Sequence, residues 1–491
     1  MLALASTSKY VIAAVLCAPI AIMGARTLQA PPINEPQPDI VVAAAAPVDG
    51  APWSALFIGP PRGQLEPCGC SGGQLGGIDR LQTMLSVAAP MDGRSVSRIA
   101  SGGAVSVEAA SHPAWARAQL ETLWLSYGMM DIAMVGVAES DLSLLGELKD
   151  AKLLLGQIPL IATNIEMKVL KDSPAVNYVR TLFEPQYKTV TGQQIYVFLP
   201  ESAKGVVGSM ETEDLVSWST KNAVQTLKEL ASQGVHDRTA TTLALFEGTD
   251  ASAAALASYL GKDSVVLRVN DEYEASQMLQ KEPGSAATAA LGTRFRYVVR
   301  LSSGKAGPEF ELSTVSEDVP GDPNLSSMRG MYRMMLESYA ARDAVAGSEG
   351  AAPRGGFAGS DSCAKCHVDA YEIWQESLHH HAMETLADDL RDGAPATQDP
   401  NCVECHSVGF GFDSGYGSKK LADDLRWDTL NGFAGVGCES CHGPGAQHVA
   451  SANVADIDRG GEHTCLVCHD SENDPNFHFG RKWPNIEHNN E

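Results

Sequence analysis

Cys363-Ala-Lys-Cys366-His367, Cys402-Val-Glu-Cys405-His406, Cys438-Glu-Ser-Cys441-His442 and Cys465-Leu-Val-Cys468-His469 are four copies of one pentapeptide, C-x-x-C-H, in the last quarter of a 491-residue chain. The spacing has a chemical meaning. Two thiols separated by two residues bond covalently to one macrocycle edge, and the histidine that follows then lies under the iron as its proximal ligand. The eight cysteines are therefore candidates for attaching four haem c groups, and His367, His406, His442 and His469 for binding iron. Zinc is the alternative, because paired C-x-x-C motifs also build zinc ribbons. A zinc ribbon has no need of a histidine directly after every second cysteine, yet all four copies carry one.

From Cys363 to Glu491 there are 129 residues for four sites, about 32 each. So short a segment cannot build a separate apolar core around every site, and a small scaffold needs a staple. The haems would be both core and staple, lying against each other as an electron wire. Each iron also has a second axial position, tuned by its ligand and surroundings. Seven histidines outside the motifs compete for it: His379, His380, His381, His448, His463, His478 and His488. The triplet falls in Asp369–Arg391, where Tyr371, Trp374, Leu378, Ala382 and Leu386 recur at helical spacing. On that helix His379 and His381 would flank the apolar stripe, and His380 would point to solvent. His448 lies six residues after His442, too close to serve the same haem, so it is expected to reach a neighbouring one. His488 is expected to ligate from the C-terminal tail.

These residues resemble the tetrahaem cytochrome c-554 family. The resemblance spans Gly359 to His488 and rests on four stretches: Ser362-Cys-Ala-Lys-Cys-His367, Tyr371-x-x-Trp374-x-x-Ser377-x-His379, Cys438-Glu-Ser-Cys-His-Gly-Pro-Gly445 with His448, and Trp483-Pro-x-Ile-x-His488. It implies stacked haem pairs, mostly bis-histidine ligation, and distal roles for His379, His448 and His488. One iron is left over. It is five-coordinate, or served by His381, His463, His478 or a second molecule. The role implied is electron transfer between a redox protein donor and acceptor. The alternatives are a redox enzyme acting on a small nitrogen or oxygen species at an open iron, and a haem polymer that self-associates through haem contacts.

The larger N-terminal part reads differently. No cysteine occurs from Ser71 to Ser362, so no disulfide framework spans it. Short apolar runs (Ala55–Ile58, Asp131–Val135, Pro159–Ala162, Ile195–Leu199) alternate with helical stretches such as Ala114–Tyr127 and Thr220–Gln233, a pattern that argues an α/β fold. The order of pieces resembles a calcineurin-like metallophosphoesterase of the 5′-nucleotidase type. That implies a layered β-sandwich with flanking helices over residues 53–318, ahead of a helix and linker (319–358) and a small helical and coil multihaem domain (359–491). The metal-binding positions depart from the family: Pro60-Pro61-Arg62, Ser101-Gly-Gly103, Val137-Ala-Glu139 and Leu243–Glu247 stand where carboxylates and imidazoles would hold two ions. The expectation is the scaffold without phosphoesterase activity. In Leu325–Ala346, Met328, Met331, Tyr332, Met335 and Tyr339 form a stripe read as core. Cys68-Gly-Cys70 is either a redox or soft-metal pair, or a plain disulfide or free thiols.

Residues 1–30 read as a signal peptide or uncleaved anchor: Lys9 precedes an apolar run from Tyr10 to Ala25. A Pro/Ala-rich linker follows at 31–52. Export to the periplasm or beyond agrees with haem attachment, which takes place outside the cytoplasm. The net charge of −24 excludes nucleic acid as a partner, whose phosphates would repel the chain. An acidic surface suits a basic redox protein, or serves solubility alone.

Overall fold

The computed structural model describes residues 52–67, 74–89, 96–105, 113–144, 158–169, 187–190, 193–209, 214–269, 274–278, 283–305, 307–346, 353–388, 390–391, 394–417, 432–470, 473–474 and 476–488. The N-terminal signal or anchor segment, the linker after it and the Cys68–Cys70 pair lie outside them. No helix among the described residues is long and apolar enough to cross a membrane.

Two large sheets form the N-terminal part. The first takes β1 (Ser54–Ile58), β2 (Val96–Ala100), β3 (Ile132–Gly136) and β4 (Leu160–Ile161) in parallel, with the hairpin β13 (Tyr297–Gly304) and β14 (Gly307–Thr314) added antiparallel beside β1. The second orders β12 (Ala287–Ala290), β11 (Val265–Arg268), β10 (Thr242–Phe246), β7 (Gln193–Phe198) and β6 (Tyr187–Val190). A smaller antiparallel sheet orders β5 (Ile165–Val169), β9 (Asp214–Thr220) and β8 (Lys204–Ser209). Side chains alternate across a strand, so each strand needs two apolar faces when both are covered. Ala55 and Phe57 of β1 face inward with Ile99, Met134 and Val299 against Ile195, Val197, Leu245 and Leu267 of the other large sheet. Leu56 and Ile58 turn outward onto helices α1 (Ile78–Val87) and α2 (Pro113–Met129). The outer face of the second sheet buries Tyr196, Phe198 and Phe246 under α4 (Ala223–Ser232) and α5 (Asp250–Leu260). The result is a four-layer α/β/β/α sandwich. A short helix, α3, covers Glu139–Leu144.

One boundary differs from the periodicity. Thr220 ends β9, its N–H bonded to Ala203 O at 2.9 Å. Helix α4 starts only after Asn222, whose side chain accepts from Gln225 N.

Helix α6 (Pro323–Ala346) crosses α1 and α2. Part of its expected stripe is core: Leu325 and Tyr332 are buried, and Met328 and Met335 pack against the same cluster, while the Tyr339 side chain lies outside the described residues. One turn apart on this helix, Arg329 and Arg333 are buried as well. Arg329 Nη2 lies 3.0 Å from Asp79 Oδ2. Arg333 grips Glu66 with two bonds, Nε to Oε1 at 2.8 Å and Nη2 to Oε2 at 2.6 Å. Burial, then the charge of Asp399, push the Glu66 carboxyl up, while Arg333 draws it down. Asp399 belongs to the C-terminal module, and Phe410 of that module packs against the N-terminal core.

The C-terminal module has little core of its own. Met383, Leu386, Ala396 and Val403 make one small cluster, Val408 and Phe433 another. Its helices are short, and the continuous helix expected over Asp369–Arg391 is broken into Val368–Gln375 and Ala382–Asp388. The cause is long-range. The His379 carbonyl accepts from Val436 N at 2.9 Å, and Gly435 (φ +85°) sits so close that a Cβ would meet the His380 carbonyl at 2.5 Å. Leu378, expected in the apolar stripe, is 87% exposed in the intervening turn.

Removing one partner of a buried, hydrogen-bonded ion pair strands the other. Arg333→Met is expected to lower unfolding stability by about 3–5 kcal/mol in urea titration. Adding Glu66→Gln should recover part of that loss. A loss well under about 1 kcal/mol in the single variant would contradict the assignment.

Candidate functional site

The broken helix places the histidine triplet in a turn, and three imidazole pairs emerge in the C-terminal module. His367 faces His448 with ring centroids 6.3 Å apart and planes at 24°. His469 faces His379 at 6.2 Å and 45°. His442 faces His488 at 5.9 Å and 61°. Each pair joins one attachment-motif histidine to one from elsewhere in the chain. Two imidazoles bonded through nitrogen to opposite sides of one metal ion, at about 2 Å each, have centroids about 6.3 Å apart. The three separations fit that arrangement.

The ring nitrogens are set up for it. His442 Nδ1 donates to Asp458 O at 2.9 Å, His448 Nδ1 to Asn453 O at 3.0 Å and His488 Nδ1 to Ile486 O at 3.0 Å. A proton fixed on Nδ1 leaves the Nε2 lone pair for a metal. His469 Nδ1 donates to Asp474 Oδ2 at 2.9 Å. Burial first, then the neighbouring His469, hold the His379 imidazole below the ordinary histidine range, which keeps it neutral and able to ligate.

His406 is different. Its Nδ1 donates to Ala382 O at 2.6 Å, and no second imidazole faces it among the described residues. His381 is exposed and bonded to Glu384 at 3.0 Å; His463 and His478 are exposed. His380, expected in solvent, packs edge-on against Trp374 at 4.5 Å, and its Nδ1 is buried without a hydrogen-bond partner. The turn geometry, not helical phase, decides its direction.

The attachment motifs touch in a definite order. The Cys363 and Cys438 sulfurs are neighbours, as are those of Cys405 and Cys468 and those of Cys441 and Cys465. The sites therefore run first, third, fourth, second. No group of three or more His, Cys, Asp or Glu side chains converges on one point among the described residues, which is what a four-ligand zinc ribbon requires. Apolar side chains beside the donors stand in the open instead, Val467 at 74% and Leu378 at 87% exposure. Such surfaces suit the flat face of a macrocycle.

Glu439, a variable position inside the third motif, was not singled out by sequence. It is 3% exposed and accepts from Ala358 N (2.9 Å), Gly359 N (2.8 Å) and Gly445 N (2.7 Å). It clamps the segment before the first motif to the third. Its signal in the sequence is nil, because nothing distinguishes a buried acid from an exposed one in C-x-x-C.

In the N-terminal part, the four departures from the metallophosphoesterase pattern meet at the ends of β1, β2, β3 and β10. Arg62 N donates to Gly103 O at 2.9 Å, and Arg62 Nη1 donates to Ser140 Oγ at 3.2 Å. Asp141 is half-buried and accepts from Gly103 N, Ala104 N and Ala138 N at 2.8–2.9 Å. Glu247 accepts from Glu139 N at 2.8 Å. The Arg62 guanidinium draws both carboxyls down, against the burial that raises them. An arginine supplies positive charge but no lone pair, so the cluster is neutralised from within the chain.

Residues 362–443 match the family model described as cytochrome c554 and c-prime. The C-terminal part is similar to cytochrome c-554. Over 99 residues it is 38% identical to cytochrome c-554 of Nitrosomonas europaea, a stretch covering 18% of this chain and 39% of that protein. The chain thus spans well under half the length of that relative. Among solved structures, the chain is similar to a 5′-nucleotidase precursor from Thermus thermophilus (12% identity, TM-score 0.42, 59% of each chain). It is likewise similar to the calcineurin-like phosphoesterase YfkN from Bacillus subtilis (9% identity, TM-score 0.39, 59% of this chain and 98% of that one).

Burial pushes the Glu247 carboxyl up to about 7. A carboxyl raised on folding contributes stability that is complete below its unfolded pKa of about 4.3 and is lost as pH rises through the folded value. Glu247→Gln is therefore expected to gain stability relative to the native chain as pH goes from about 5 to about 8, read as melting temperature. A pH-independent difference would contradict this.

Proposed function

We propose that the chain is an exported c-type cytochrome carrying four haem c groups and passing electrons between a redox protein donor and acceptor. The observation that carries this reading is the set of three imidazole pairs at 5.9–6.3 Å. In it, Cys363 and Cys366, Cys402 and Cys405, Cys438 and Cys441, and Cys465 and Cys468 each hold one macrocycle. His367, His406, His442 and His469 are proximal ligands; His448, His488 and His379 are distal ligands to the first, third and fourth irons. The haem supplies a one-electron iron couple when bound. The protein fixes the imidazoles of His406, His442, His448, His469 and His488 through their Nδ1 bonds, so little rearrangement would accompany a change of iron charge there. The contact order of the motifs favours one continuous row, with the first and second sites at its ends.

The layered domain, residues 53–318, acts as scaffold or docking module. Hydrolysis of phosphate esters is not expected of it, since Arg62 fills with fixed charge a place where metal-dependent chemistry needs ligands. The chain works in the periplasm or outside the cell, with the N-terminal segment cleaved or kept as an anchor.

A second reading rests on His406. An iron held by His406, which faces no second imidazole among the described residues, would keep a coordination position for a small nitrogen or oxygen species. Electron paramagnetic resonance of the native protein should show three low-spin haems and one high-spin haem. His488→Ala should convert one low-spin signal to high-spin while the haem count stays unchanged. Four low-spin signals would remove the second reading, and an unaffected spectrum in the variant would remove His488 as a ligand.

A further inference from the structure

His406, His442, His448 and His488 each turn Nδ1 toward a backbone carbonyl. His469 turns it toward a carboxylate, Asp474 Oδ2 at 2.9 Å. A carboxylate only accepts, so the proton sits on Nδ1 and the imidazole is polarised toward imidazolate. The turn after the fourth motif fixes this geometry. Asp474 N donates to Asp470 O at 2.9 Å, Phe477 N donates to Asp474 O at 2.9 Å, and Asn473 N donates to Asp470 Oδ1 at 2.7 Å. Phe477 stacks on the His469 ring, centroids 4.6 Å apart and planes at 19°. That ring limits water around the pair, whose side chains are 36% and 22% exposed. The fixed negative charge favours the ferric over the ferrous state, since the ferric site carries one more positive charge.

We propose that Asp474 is a positioning residue that lowers the reduction potential of the haem held by Cys465 and Cys468. The inference rests on the ligation of that iron by His469 in the reading above. The electron leaves as iron goes from ferrous to ferric and passes to the adjoining haem; no proton moves. This site touches both the third and the second through its cysteines, so a low potential here keeps electrons from resting on its own iron. They settle on the neighbouring irons, including the one at His406.

The test is a spectroscopically monitored redox titration of the assembled, haem-loaded full chain, native and Asp474→Asn. One midpoint should rise by about 59 mV, a tenfold shift in occupancy for one electron, with the other three in place. Asp474→Glu should restore the native value. If the asparagine variant does not assemble, Asp474→Ser removes the same charge and must give the same rise. Four unchanged midpoints in a fully loaded, low-spin variant would overturn the inference and leave the ligation intact. A native protein lacking the low-spin signal of the His469–His379 iron would instead overturn the ligation on which the inference stands.

Discussion

Facing imidazoles about 6 Å apart, drawn from distant points of the chain, are the constraint on which the C-terminal module depends. His367 meets His448 across 81 residues, and His379 meets His469 across 90. Loop closure over such spans costs entropy. Two small apolar clusters are a modest counterweight. In the proposed reading, covalent attachment beside each motif histidine, with a second histidine closing the loop, would be the kind of cross-link that stabilises so sparse a scaffold. Chain path follows from it. The Asp369–Arg391 segment gives up helix so that His379 can turn toward His469, and the Glu439 carboxylate gathers three backbone donors so that the first and third motifs stay together.

The N-terminal sandwich obeys the opposite economy. Its central strands, β1 and β10 among them, are buried on both faces, and α1, α4 and α5 each bury an apolar stripe. Charge inside it is balanced by arginine: Arg333 on Glu66, Arg329 on Asp79, Arg62 beside Asp141 and Glu247. The Glu66–Arg333 pair also feels Asp399, three residues before Cys402. Phe410 adds apolar contact between the two parts near the second motif. The two parts are thus joined beside the attachment site whose histidine, His406, faces no second imidazole among the described residues.

Much of this was legible in the sequence. The four motifs marked the candidate attachment sites, because covalent chemistry fixes both spacing and residue type. Runs such as Ala55–Ile58 and Ile195–Leu199 gave strands, because a doubly covered strand must be apolar throughout. What failed was whatever long-range contacts decide. Helical phase sent His380 to solvent, yet a bond from Val436 to the carbonyl of His379 broke the helix. Glu439 and Asp474 carry no sequence signal, and only tertiary placement shows one as a clamp and the other as a partner of His469. Pro60-Pro61-Arg62 read as standing where metal ligands would be, and the fold shows that the Arg62 charge acts on both Asp141 and Glu247.

The central claim is that four C-x-x-C-H motifs each carry one covalently bound haem. Intact mass of the exported, mature chain, paired with its pyridine haemochrome spectrum, tests it most directly. The account predicts the polypeptide mass plus four haems, with a c-type spectrum that survives acid–acetone extraction. Fewer than four haems, or bound zinc in their place, would contradict it.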